Sequence, residues 1–164
     1  GGHFFMSEND EFPTNNGAVL NVAVLIKNVM SSAAEAELGA MFINAKQAVH
    51  LRRTLEELGH PQPPTPIQTD NTTAQGVVTN NILPKATKSM DMQFHWLRDR
   101  EFREQFRSYW RSGTKNLGDY WTKHHPGAHH QSFRPEILTA QGVVDALRKI
   151  LSARASRSPV ARVC

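Results

Sequence analysis

The chain has 164 residues, the size of one domain, with 39% hydrophobic and 21% charged residues, a balance that excludes wholesale disorder and collagen-like sequence. Lys and Arg number 19 against 15 Asp and Glu, a net charge of +4, which permits a polyanionic partner without requiring one. No apolar run approaches the roughly 18 residues of a membrane span, and the single cysteine, Cys164, excludes an internal disulfide. With no signal-peptide pattern, the chain is expected inside the cell, cytoplasmic or nuclear and not secreted. It starts at Gly1, so it is expected to be processed or cut from a longer chain.

Taken in chain order, His3-Phe4-Phe5-Met6 reads as a strand over about 2–6. Asn15-Asn16-Gly17 is a hairpin signal between two apolar runs, and the β-branched stretch 19–30 reads as the second strand. Ser32 with Glu35 forms a capping box. Leu38, Met41, Ala45 and Val49 then recur at helical spacing, which predicts a helix over 32–58 stopped by Gly59. After a proline-rich break, 66–70 reads as a strand ending in Asp70, and 74–79 as a short helix. Helix 88–100 presents Met90, Phe94 and Leu97 on one face. A strand follows over about 105–111, then a short helix over 117–124. Beyond Pro126 the segment reads as irregular, with one further helix over about 136–151. Arg154, Arg157 and Arg162 stand in an acid-free tail expected to be disordered. Trp96, Trp110 and Trp121 read as core residues.

Three acids stand at positions where chemistry is commonly placed. Glu37 lies in the first turns of the long helix, Asp70 at a strand end, and Asp119 at the start of the helix after the last strand. Carboxylates converging there suit Mg²⁺, which takes few carboxylates together with water and phosphate oxygens. Two such ions support in-line phosphodiester displacement. Each acid also has a local reading. Glu37 fits a solvated residue near a helix N-terminus, Asp70 an Asx turn or helix cap, and Asp119 a capping-box partner of Asn116. Spacing alone does not decide between these. His124, His125, His129 and His130 fit either a zinc site or an exposed segment with weak metal affinity.

Ordered blocks of sequence carry a resemblance. Ser31-Ser32-Ala33-Ala34-Glu35-Ala36-Glu37-Leu38 resembles the SSTEAEY helix of copia-type retrotransposon ribonuclease H domains. Residues 51–59 resemble its LRRLLEELG helix end, and Thr69-Asp70-Asn71 its CDN strand end. Residues 85–98 resemble KRSKHIDIRYHFIR, and 116–123 resemble QLADIFTK. The blocks cover about residues 1–130.

The resemblance implies an α/β fold, a ribonuclease H-like mixed sheet with flanking helices that lacks its first strand. That strand is central in the family and carries the first catalytic Asp. Four strands are therefore expected, with an open slot in the sheet. The implied domain is 1–130, with 131–164 as a C-terminal extension. The implied activity is hydrolysis of the RNA strand of RNA–DNA hybrids by two-metal catalysis in the intact parent, with Mg²⁺, or Mn²⁺ in its place. Glu37, Asp70 and Asp119 are the implied catalytic residues and metal ligands. Lys85, Lys88, Arg98 and Arg111 would meet the hybrid's phosphates, and the reverse transcriptase portion of the polyprotein would be a second partner. With only three of the four carboxylates, this chain is itself expected to show little or no hydrolysis. The other readings are a relic that keeps the fold without cutting, and a connection-type domain that at most binds nucleic acid.

Overall fold

A computed structural model describes residues 1–7, 17–27, 29–79, 91–138 and 160–163. The elements are β1 (Gly2–Ser7), β2 (Ala18–Val22), α1 (Ala33–Glu57), β3 (Thr65–Thr69), α2 (Thr72–Val78), α3 (Asp91–Phe102), β4 (Phe106–Trp110), two 3₁₀ turns (Gly113–Lys115 and Leu117–Trp121), α4 (Gly127–Ile137) and β5 (Val160–Val163). The fold is mixed α/β.

The predicted hairpin partners pair antiparallel, from Gly2 opposite Val22 to Phe5 opposite Ala18. Gly17 has φ +85°, the left-handed conformation a turn glycine supplies; Asn15 and Asn16 lie outside the described residues. The second strand ends at Val22, opposite Gly2, rather than running to residue 30. The chain instead folds onto α1, where a Cβ on Gly39 would stand 3.0 Å from Met30 Cε. Gly2 is fixed by packing as well. A Cβ there would fall 2.4 Å from Asn44 Oδ1, so a larger residue would force the Asn44 side chain to move.

α1 matches its predicted span closely. Ser32 Oγ accepts from the Glu35 N–H at 3.2 Å. The return bond is displaced by one residue, since the Glu35 carboxylate accepts from both N–H and Oγ of Ser31, each at 2.7 Å. These bonds hold the Glu35 carboxyl below its usual range. Gly59 ends the helix at φ +88°. The helix buries Leu38, Met41, Ala45 and Ala48, which pack with Phe4, Ile67 and Val163 in the core, and also buries Leu55. Each fully buried large aliphatic side chain contributes roughly 1.5–3 kcal/mol.

β3 and β4 are parallel, from Thr65 opposite Phe106 to Thr69 opposite Trp110, with α2 and α3 in the crossover between them. α2 is capped by Asn71, whose Oδ1 accepts from the Ala74 N–H at 3.0 Å; the cap is not Asp70. The expected strand over 105–111 forms over Phe106–Trp110, and the short helix over 117–124 is reduced to a 3₁₀ turn.

The largest departures are C-terminal. Among the described residues the sheet has five strands in the order β2-β1-β5-β3-β4. The slot expected to be open is filled by Val160–Val163. β5 runs antiparallel to β1, with Phe4 opposite Val163 and Ser7 opposite Val160, and parallel to β3, with Ile67 opposite Val163. Residues 160–163 of the tail expected to be disordered are thus a central strand, and the expected C-terminal extension contributes to the same core, where Val163 is 1% exposed. The segment after Pro126, expected to be irregular, is α4. It holds despite Pro135 because Phe133 is buried and stacks on Tyr120 at 4.5 Å. The predicted helix over 136–151 lies mostly outside the described residues.

Candidate functional site

α1, the segment 22–30 and the second 3₁₀ turn enclose a cleft of about 460 Å³. One wall is apolar, with Val22, Ile26, Met30 and Ile43. The other is polar, with Glu37, Asn44, Asn116 and Asp119. Glu37 is there because the capped first turn of α1 lies beside β1. Asp119 is there because Asn116 Oδ1 accepts from the Gly118 N–H at 3.1 Å and winds the 3₁₀ turn toward Gly1.

The structure brings the three predicted acids into one electrostatic neighbourhood. Burial pushes the Glu37 carboxyl above its usual range, and the charges of Asp70 and Asp119 push it further. The Gly1 amino group and Lys123 oppose that shift. Glu37 and Asp119 share the cleft. Asp70 is not part of its lining; it follows β3 and is held from the cleft side by Asn116, whose Nδ2 donates to Asp70 Oδ2 at 3.2 Å. Its carbonyl accepts from Trp110 Nε1 at 3.0 Å.

One oxygen of Asp119 is also engaged. Lys123 Nζ forms an ion pair with Asp119 Oδ2, and this bond raises the lysine pKa. An all-carboxylate donor set is the right chemistry for Mg²⁺. Its placement is not: among the described residues, no group of three His, Cys, Asp or Glu side chains is arranged to hold a metal ion. The three acids share a field without sharing a coordination sphere, and no catalytic step is assigned through a metal here.

Of the predicted phosphate-contacting residues, Lys85 and Lys88 lie outside the described residues. Arg98 is half-buried, with its guanidinium over the Phe94 ring at 5.1 Å, and Arg111 is half-buried beyond β4. Their neighbours are largely engaged. Arg100 lies over Trp96 and donates to Gln105, and Arg103 pairs with Asp99. Among the described residues, the basic side chains of this stretch are interleaved with acids and rings.

The histidines belong to a ring stack. His125 and His129 lie 4.1 Å apart, His129 stacks toward Phe133, and His130 Nδ1 faces the Tyr120 hydroxyl at 3.0 Å. They dock α4 onto the 3₁₀ turn and form no metal centre. Of the three tryptophans expected in the core, only Trp96 packs there; Trp110 and Trp121 are 49% and 40% exposed.

Sequence reasoning placed Asn116 with Asp119 but missed its bond to Asp70, and missed Lys123 as the partner of Asp119. The Asp119–Lys123 spacing is a readable i,i+4 signal. Nothing local announces that Asn116 reaches Asp70, which is folded against it from the end of β3.

A retrovirus-related Pol polyprotein from the transposon TNT 1-94 of Nicotiana tabacum is 30% identical over 112 residues, which make up 68% of this chain and 8% of that protein. The chain is similar to a retrotransposon polyprotein. It spans less than a tenth of that polyprotein's length. No family model matches the chain, and no solved structure matches it. No helix among the described residues is long and apolar enough to cross a membrane.

Proposed function

We propose that this chain is a ribonuclease H-type domain of a retrotransposon polyprotein, and that alone it keeps the fold without hydrolysing RNA. The observation that carries the reading is the electrostatic coupling of Glu37 to Asp70 and Asp119. These acids come from a helix, a strand end and a 3₁₀ turn that are remote in sequence, and local capping roles do not require them to meet. The similarity to a Pol polyprotein supports the same reading. In the intact parent, the RNA strand of an RNA–DNA hybrid is the proposed substrate, with Mg²⁺ or Mn²⁺ as cofactor and the reverse transcriptase portion as partner.

Hydrolysis by the chain alone is not proposed, because its acids are held by Asn116 and Lys123 rather than poised around an ion. The central strand beside them, Val160-Ala161-Arg162-Val163, supplies no carboxylate. The residues of this chain would orient and repel: Asn116 fixes Asp70, Lys123 neutralises Asp119, and Glu37 holds a proton more readily than a free carboxylate.

The test is a labelled RNA–DNA hybrid incubated with the chain in Mg²⁺ or Mn²⁺. No cleavage above an EDTA control is expected. A form with an Asp-bearing strand joined ahead of Gly1 and residues 160–164 removed, so that the slot between β1 and β3 is free, is expected to cleave the RNA strand, and Asp70→Asn in that form to abolish cleavage. Cleavage by the 164-residue chain itself overturns the statement that it is inactive alone. An extended form that never cleaves overturns the ribonuclease H reading.

A further inference from the structure

Trp110 ends β4, the edge strand of the sheet among the described residues. Its side chain is 49% exposed, whereas tryptophan is on average highly buried. The ring is nevertheless held in place. Its Nε1–H donates to the Asp70 carbonyl at 3.0 Å, across the parallel pairing in which Thr69 stands opposite Trp110. An open aromatic surface is thereby fixed against the residue that carries one of the three coupled acids. Protection of the sheet edge does not account for it, because the exposed Arg107 on the same strand supplies the charge that blunts an edge.

The turn after β4 extends this surface. A Cβ on Gly113 would stand 3.0 Å from Asp70 Oδ2, so the turn Gly113–Lys115 lies close against that acid. Arg111 is half-buried and Lys115 exposed on either side of it. Neither belongs to an ion pair among the described residues, in contrast to Arg103 and Lys123. Asp70 is the acid beside them, and one of its oxygens already accepts from Asn116 Nδ2. A fixed, open ring beside two unpaired cations suits a sugar–phosphate strand. The cations meet phosphates, and the ring meets the flat face of a nucleotide.

We infer that Trp110, with Arg111 and Lys115, is a platform that lays one strand of an RNA–DNA hybrid beside Asp70. The choice of the hybrid rests on the ribonuclease H reading; the platform rests on the ring, its bond to Asp70 and the unpaired cations. The bases of a paired helix are stacked on one another, so the indole meets the sugar edge of the wide, shallow minor groove. A single strand offers it a whole base face instead. The two occupants therefore respond differently to loss of the ring.

The test is the fluorescence anisotropy of a short labelled RNA–DNA hybrid titrated with the full chain in EDTA, at a series of salt concentrations. Trp110→Ala is expected to bind about five-fold more weakly, the lower end for an aromatic contact to nucleic acid, with the salt dependence of the parent. Trp110→Leu keeps bulk without an aromatic face and is expected to show the same loss, which separates the ring from folding. Trp110→Phe keeps a ring and is expected to stay within about two-fold of the parent. Arg111→Gln and Lys115→Gln are each expected to lower the slope of log K against log salt by about 1. Phe102→Ala removes an exposed aromatic ahead of the other end of β4 and is expected to bind as the parent does. Full affinity in Trp110→Ala or Trp110→Leu overturns the platform, as does an equal loss in Phe102→Ala. A loss greater on single-stranded RNA than on the hybrid overturns the hybrid as occupant. A parent chain that binds no hybrid overturns the inference as well, while the ribonuclease H reading is judged separately by cleavage in the extended form.

Discussion

Glu37 carries the clearest electrostatic cost in the molecule. Burial raises its pKa, and Asp70 and Asp119 raise it further, so the folded state holds its proton to a higher pH than the unfolded chain does. The sign follows. Above its folded pKa the ionised carboxylate is disfavoured in the fold, and stability is lost as pH rises from the ordinary carboxylate range through that raised value. Glu37→Gln keeps the shape and removes the charge. It is expected to raise the urea midpoint at pH 7 and to flatten the pH dependence between pH 4 and 7. A variant no more stable than the parent at pH 7 would show that the three acids do not repel as placed. At this scale the sequence singled out three acids that the fold brings into one electrostatic neighbourhood and was silent about what holds them. Glu37, Asp70 and Asp119 stand out by position along their elements, whereas the bond from Asn116 to Asp70 exists only once β3 and the 3₁₀ turn have been brought side by side.

At the scale of elements, the join between α1 and β3 rests on one side chain. Arg52 is buried near the helix end and donates to the carbonyls of Pro63 and Gln62, to Thr65 Oγ1 at 2.9 Å, and to Glu56. The proline-rich segment 61–66 has few backbone donors of its own, so the guanidinium fork supplies them and fixes the entry of β3. Arg52→Ala leaves these acceptors without their donor and is expected to cost about 2–3 kcal/mol, the scale of hydrogen bonds to a charged group. Arg52→Lys should recover little, since an ammonium cannot span the same acceptors as a planar fork. Urea midpoints check both; an Arg52→Ala variant within about 0.5 kcal/mol of the parent, the range of neutral surface changes, would assign the join to apolar packing alone. The elements themselves were largely legible. Ser32 and Gly59 bound α1 by capping chemistry, and strong periodicity filled the span between them. β2 is shorter than its apolar run, since periodicity within a strand does not reveal how far its pairing extends. α4 was hidden by Pro126 and Pro135, two helix-disfavouring signals outweighed by the burial of Phe133 against Tyr120.

The sheet's closure belongs to the whole molecule, and it was the least legible feature. Four residues with two valines, Val160-Ala161-Arg162-Val163, carry almost no strand signal alone; they become a strand because β1 and β3 present unsatisfied backbone on both sides of them. His3 ties the same assembly together across the chain. It is fully buried in β1. Its Nε2–H donates to the Leu117 carbonyl at 3.1 Å, its Nδ1 faces the Asn21 side-chain amide at 2.8 Å, and its ring meets Trp121 and Phe133. One imidazole thus joins β1, β2, the 3₁₀ turn and α4. Burial lowers its pKa, against the raising effects of the Asn21 and Leu117 bonds. The folded state consequently binds the neutral ring, while the unfolded chain takes up a proton as pH falls through about 6.5. Stability is complete above that value and is lost below it, at up to about 1.4 kcal/mol per pH unit, until the lowered folded pKa is reached. Glu37 contributes the opposite slope, so the difference between parent and variant isolates His3. His3→Gln is expected to be less stable than the parent at pH 7.5, yet to lose less stability between pH 7 and pH 5. The measurement is the urea midpoint at each pH with the slope of the transition held as a control. Equal losses in the two proteins would mean that His3 is not the group whose protonation loosens the joined halves of the chain.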